Sequence, residues 1–358
     1  MILIRSMRKK QKIVLIATFL GIALIANFPK SAEAGYEEIE QEYNELLINY
    51  YCNPQIDKIP TALEYIATSD FIKNQPTDVS AMTAYLFGRI ARIEPSLIPK
   101  YMEVFGRSSQ THEGRVFILM VFQTCGNKEV RHFLEDKLID GNFAKEKQDI
   151  QNVLNGDIPI KFNPLIQEVK DGVDLDFLWA EFFVTGDKEP IVKIIDTLGW
   201  PDRFKSRLQE WRAKKHSDNE KRILDNMLNR RMQMNVDLDR MYMKGTADLD
   251  CLFSAQLQFH SSDKKQRDSI KKIRKIMNIS DEDILYMAVK GAAMWSLQSN
   301  AQQHQKVLKY CRQEFERRSD KSKIELAIIL EVVSKGIIEL VPTGEGDMAT
   351  LKLHEENN

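Results

Sequence analysis

The sequence predicts an all-α protein of stacked antiparallel helical hairpins, α-solenoid-like, with no significant sheet. Residues 178–198, LWAEFFVTGDKEPIVKIIDTL, read as two helices meeting at a tight turn. Phe182 and Phe183 close the first helix, Gly186 and Asp187 make the corner, and Ile191, Ile194, Ile195 and Leu198 stripe the second. A near-copy, ILMVFQTCGNKEVRHFLEDKL, lies 60 positions earlier at residues 118–138. Phe122, Gly126, Asn127, Lys128, Glu129, Leu134 and Leu138 fall on Phe182, Gly186, Asp187, Lys188, Glu189, Ile194 and Leu198. A fainter echo lies 116 positions later, where Trp295 falls on Trp179 and Val307, Leu308 and Lys309 fall on Ile191, Val192 and Lys193. Elsewhere helical periodicity is nearly continuous and strand alternation is scarce.

The elements follow in order. Residues 1–34 read as a secretory signal peptide or an N-terminal membrane anchor. Arg5, Arg8, Lys9, Lys10 and Lys12 precede an uncharged run at residues 13–28. Ala32-Glu33-Ala34 then offers a small-residue cleavage site. The run is short for a spanning helix of about 20 residues, which favours cleavage. Either outcome places the rest outside the cytoplasm, periplasmic or extracellular, or anchored by residues 13–28. The leader takes six basic residues and one acidic residue with it, leaving 45 basic against 51 acidic, a net charge of −6. That balance argues against a general nucleic-acid binder.

Residues 35–155 form a first helical repeat region. Helices are predicted at 37–51, after Pro60, from Thr77 to about Ile93, and from Pro95 to Phe105. In the third of these, Ala81, Ala84, Gly88 and Ala91 keep one side slim enough for a neighbouring helix to come close. The hairpin 111–139 follows, its first helix nearly all apolar from Val116 to Phe122 and so expected at the centre. A thinner helix spans 144–154. Residues 156–165 carry Pro159 and Pro164 and read as a linker. Residues 166–341 form a second helical repeat region: the hairpin 175–198, a charged helix from Asp202 to about Lys215, a long helix from Ser217 to about Met243, and a pair at 247–260 and 264–277. Ser280-Asp281-Glu282-Asp283 starts a helix to about Asn300, and helices at 303–318 and 321–340 complete the region. Residues 342–358 read as a flexible tail.

On Leu178, Phe182 and Gly186-Asp187, and on Phe122 with Gly126, the hairpins resemble tetratricopeptide-type repeats over about 21 residues per copy. Trp179 and Ile191, or Leu119 and Arg131, stand where that family places small residues. The resemblance implies a protein-binding scaffold with a concave face.

Motifs for chemistry are few. The sequence has no G-x-S-x-G, H-E-x-x-H, Walker or G-x-G-x-x-G stretch, and no catalytic, cofactor-binding or metal-ligating set is assigned from it. His112-Glu113 lacks the second histidine a zinc helix needs. His304 sits at a hairpin corner and reads as a surface helix-start residue. Asp171, Asp174 and Asp176 flank Gly172 without the order of a calcium loop and read as a turn with an Asp cap. Met232 with Met234, and Met241 with Met243, suggest soft copper(I) ligands, but residues two apart on a helix point about 200° apart. Each pair is better suited to giving a deformable packing surface. Cys52, Cys125, Cys251 and Cys311 allow three disulfide pairings on export; as small buried hydrophobes they need none. Trp179 and Trp295 match in position and are expected in the interior.

Lys264, Lys265, Arg267, Lys271, Lys272, Arg274 and Lys275 flank Ile270, Ile273 and Met277, giving a basic amphipathic helix on an acidic chain. It is a candidate surface for an acidic partner or an anionic membrane, or a solvated face over a packed stripe. The sequence thus points to an exported, non-enzymatic scaffold that needs no cofactor and binds another envelope protein. Two alternatives stand beside it: a ligand-binding protein or hydrolytic enzyme with a dispersed site, and a membrane-tethered accessory subunit.

Overall fold

A computed structural model describes residues 34–69, 72, 77–107, 111–126, 128–156, 160–222, 271–272, 274–334, 338–343 and 348–353. The described elements are helices throughout, apart from one two-stranded hairpin late in the chain. Two compact units are distinguished: residues up to Glu168 with Asp176–Pro190, and Val169–Leu175 with Ile191 onward.

The first unit begins with α1 (Ala34–Ile48), α2 (Ile59–Thr68), α3 (Thr77–Ile93) and α4 (Leu97–Gly106). It continues with α5 (His112–Cys125), α6 (Lys128–Ile139) and α7 (Lys147–Leu154). The Thr111 hydroxyl starts α5 by accepting from the Gly114 N–H at 3.1 Å. The most extensive helix pairing here joins α3 to α5. Gly88 makes it possible, since a Cβ there would stand 2.9 Å from the Val121 carbonyl oxygen and against the Thr124 side chain. The slim side read from Ala84, Gly88 and Ala91 is therefore a docking side. By contrast α5 and α6, joined at Gly126, make little close backbone approach. Phenylalanines bridge them: Phe122 lies 6.0 Å from Phe133 and 5.7 Å from Phe105, which stacks on Phe143 at 5.3 Å. In the same unit the Ile160 N–H donates to the Gln123 carbonyl at 2.7 Å.

Two helices are shared between the units: α8 (Gly172–Thr185) and α9 (Lys188–Leu198). Every residue of α8 from Asp174 to Val184 is buried. Its corner needs Gly186, which stands at φ 66°, the left-handed region that glycine occupies at least cost.

The second unit adds α10 (Arg203–Arg212), α11 (Asp281–Gln303), α12 (Gln305–Arg317) and α13 (Ser322–Ser334). A capping box starts α11: the Ser280 hydroxyl accepts from the Asp283 N–H, and the Asp283 carboxylate accepts from the Ser280 N–H, both at 3.0 Å. Met287, Ala293, Leu297 and Ala301 give α11 a buried stripe, faced by α12 and α13. Val307, Leu308 and Cys311 do the same for α12.

The end of the chain departs from expectation. The helix read over 321–340 is described to Ser334; β1 (Ile338–Thr343) begins within the stretch read as that helix and pairs antiparallel with β2 (Met348–Leu353), which lies in the segment read as tail. The register sets Ile338 opposite Leu353 and Leu340 opposite Leu351. A short apolar run such as Ile337-Ile338-Glu339-Leu340-Val341 suits either a helix or a strand by periodicity alone.

Candidate functional site

Glu181 is a carboxylate 6% exposed inside the buried stretch of α8. Burying such a charge is costly unless it is paired and hydrogen-bonded. Arg89 supplies the pairing as a fork, donating from Nε to Oε2 at 2.7 Å and from Nη2 to Oε1 at 2.6 Å. The Tyr85 hydroxyl, one turn earlier on α3, donates to Oε2 at 2.8 Å. Tyr85 is fixed in turn by edge-on contacts with Phe162 at 5.6 Å and Phe177 at 5.2 Å.

The electrostatics of this cluster are those of a clasp. Burial pushes the Glu181 carboxyl up, but the hydrogen bonds and charge of Arg89 and the Tyr85 hydroxyl outweigh it and hold the group below the usual range. Burial first, and then the Glu181 charge, push the Tyr85 phenol far up. The hydrogen bond to Glu181 raises Arg89 further. Carboxylate, phenol and guanidinium are all driven away from neutrality, so none is tuned to exchange a proton near pH 7.

Two ionic clusters of the second unit centre on the buried Glu314 and Lys290. Arg318 donates from Nε to Glu314 at 2.9 Å and from Nη1 to the Ser322 hydroxyl at 3.2 Å, and its Nη2 reaches Asp196. Glu314, 1% exposed, is also gripped by Arg317. Lys290 is fully buried, donates from Nζ to the Trp200 carbonyl at 3.2 Å and lies 3.9 Å from Glu325.

Cys52, Cys125 and Cys311 are free thiols, and Cys251 lies outside the described residues. Burial pushes Cys125 and Cys311 each up to about 12, so both remain protonated and behave as small apolar residues. Cys52 is exposed on a groove of about 370 Å³ beside Glu42, Glu45 and Lys58, its thiol directed to the Asn49 carbonyl.

Of the basic surface, Lys264, Lys265 and Arg267 lie outside the described residues. Lys271, Lys272 and Lys275 are exposed, Arg274 pairs with Asp281, and Met277 on the same helical turn is 2% exposed. Met232, Met234, Met241 and Met243 also lie outside the described residues, within which no group of three or more His, Cys, Asp or Glu is placed to hold a metal. Asp171 and Asp174 form a reciprocal cap at the start of α8: Asp171 Oδ1 accepts from the Asp174 N–H at 3.2 Å, and Asp174 Oδ2 accepts from the Lys170 and Asp171 N–H groups at 2.8 and 3.3 Å. Trp179 is 1% exposed, whereas its counterpart Trp295 is only half-buried. Among the described residues no helix is long and apolar enough to cross a membrane; residues 13–28 are not among them.

Sequence reasoning passed over Glu181, Arg89 and Tyr85. A signal was present: one acid inside the apolar run Leu178-Trp179-Ala180-Glu181-Phe182-Phe183-Val184 demands a buried cation. Compared with protein-family models, curated proteins and solved structures, the chain matches none.

Proposed function

We propose that this chain is an exported scaffold of stacked helical hairpins that binds another envelope protein and performs no chemistry of its own. The supporting observation is the short junction after three helices, each closed by an i→i−4 backbone bond although the junction residues differ in backbone, with φ −44° at Gly126, 66° at Gly186 and −122° at His304. The Gly126 N–H donates to Phe122, the Gly186 N–H to Phe182 and the His304 N–H to Asn300, at 2.9, 2.6 and 2.8 Å. Each bond closes one helix within two residues of the next. Short junctions of this kind suit stacked hairpins, whose extended faces bind by shape. The Glu181 cluster supports the same reading, because its charges are committed to one another.

The test is affinity capture of the chain from envelope extract after chemical cross-linking, then reconstitution of the complex from purified components. A single reproducible partner that rebinds in isolation is the expected result. Capture of no partner in repeated trials contradicts the proposal. Export is tested by sequencing the N-terminus of the protein from its native source: a start near Gly35 marks a cleaved leader, and retention of residues 13–28 marks a tethered subunit.

A second reading has its own support in the exposed Lys271, Lys272 and Lys275, which suit anionic headgroups. Vesicles with anionic lipid would sediment the chain and neutral vesicles would not. Equal behaviour with both vesicle types contradicts it.

A further inference from the structure

In the second unit, the segment after α9 lies on α11 and is fastened by charge. Trp200 stacks on Tyr286 with ring centroids 4.4 Å apart, and the Arg203 guanidinium lies 4.7 Å from the centre of that same ring. One turn on, Arg207 donates from Nε and Nη2 to Asp283 Oδ2 at 3.0 and 2.9 Å. The pair Arg203 and Arg207, four apart on α10, thus meets Asp283 and Tyr286, three apart on α11. Leu208 on the same helix is 4% exposed. Beneath the start of the segment sits Lys290, with no exposed surface, its ammonium capped by the Trp200 carbonyl and facing Glu325.

When the latch opens, Asp283 loses its cation but keeps neutral hydrogen-bond partners. Asp283 Oδ2 also accepts from the Ser280 N–H at 3.0 Å and the Ser280 hydroxyl at 2.9 Å, so it stays hydrogen-bonded when Arg207 leaves. Arg207 is a quarter exposed and keeps Glu210, 3.1 Å from its Nη1. Salt and competing anions reach the pair through that partly exposed arginine, the Asp283 side chain being only 4% exposed. Lys290, by contrast, trades a buried pairing for water once Trp200 lifts.

We propose that residues 200–212 form an ion-latched cover, which opens when Arg207 releases Asp283 and exposes the buried Lys290 amine. The inference is independent of the scaffold reading, because it concerns motion within one unit and needs no partner.

Trace acetylation of the whole chain with a water-soluble reagent tests it, with Lys290 read by mass spectrometry against the exposed Lys309. Amide exchange of α12 and α13 is followed in parallel. The Arg207→Gln variant is expected to acetylate Lys290 roughly tenfold faster or more, with exchange in α12 and α13 unchanged. An unchanged rate overturns the proposal. So does a rise that appears only together with faster exchange throughout α12 and α13, since that is general unfolding. If the variant fails to fold, the wild-type chain decides: raising salt to about 1 M should accelerate Lys290 labelling relative to Lys309, and no acceleration overturns the cover.

Discussion

Glu181 in the first unit and Glu314 in the second are both nearly solvent-free carboxylates, and both are held by arginine. Their partners come from opposite distances along the chain. Glu181 is bound by Arg89 and Tyr85, 92 and 96 residues away, so the bonds form only when α3 and α8 have been brought together. Glu314 is bound chiefly by Arg317 and Arg318, three and four residues on, which any helix with that spacing supplies. Arg318 also makes a distant contact, with Asp196, whose side chain is 58% exposed. The first cluster therefore reports tertiary closure, whereas the second is mostly local. Equal burial of two charges does not make them equal contributors to stability.

The largest effect follows from breaking the distant cluster. Arg89→Met leaves Glu181 buried without its cation and is expected to cost about 3–5 kcal/mol. Chemical denaturation measures it, and the loss should fall on the first unit.

Acid separates the two units by pH window. Burial of His304 in the second unit drives its imidazole down from 6.5 to about 4. The unfolded chain then takes up a proton that the folded chain refuses, so the stability contributed by neutral His304 is present above pH 6.5 and is lost as pH falls toward 4. The loss amounts to about 3 kcal/mol at most. The carboxyl of Glu181, held below 4.5, contributes stability above that pH that is lost only as pH falls further, through its lowered value. His304→Asn should flatten the stability profile between pH 6.5 and 4 and leave the steeper loss below 4.5 in place.

Gly88→Ala probes the packing that brings Arg89 to its partner. The added methyl meets Thr124 and the Val121 carbonyl, and the α3–α5 approach should loosen at a cost of about 1–3 kcal/mol. Thermal melting checks it, together with a shift in the fluorescence of buried Trp179. The smallest effect is reserved for the local cluster. Arg317 is 62% exposed and Arg318 remains on Glu314, so Arg317→Ala should leave the denaturation midpoint within error.

What was readable in sequence divides along the same line between local and distant. The Ser280–Asp283 capping box, the glycine corners at 126 and 186 and the central placing of α5 are local patterns, and the structure contains all three. The slim side of α3 was readable because small residues have one packing consequence, although which helix would fill it was not. The partners of Glu181 could not be read, since nothing near Tyr85 and Arg89 marks a carboxylate more than 90 positions on. The β1–β2 hairpin was missed for a different reason: its first strand is too short for periodicity to separate it from the end of α13.

The most direct test of the buried cluster as a structural clasp is a double-mutant cycle on Arg89 and Glu181, read by denaturant midpoint. Arg89→Met and Glu181→Met should each destabilise strongly alone, and the double variant should recover much of the loss, because two apolar chains replace a pair instead of orphaning one charge. Two single variants with wild-type midpoints, or losses that simply add, would contradict the clasp.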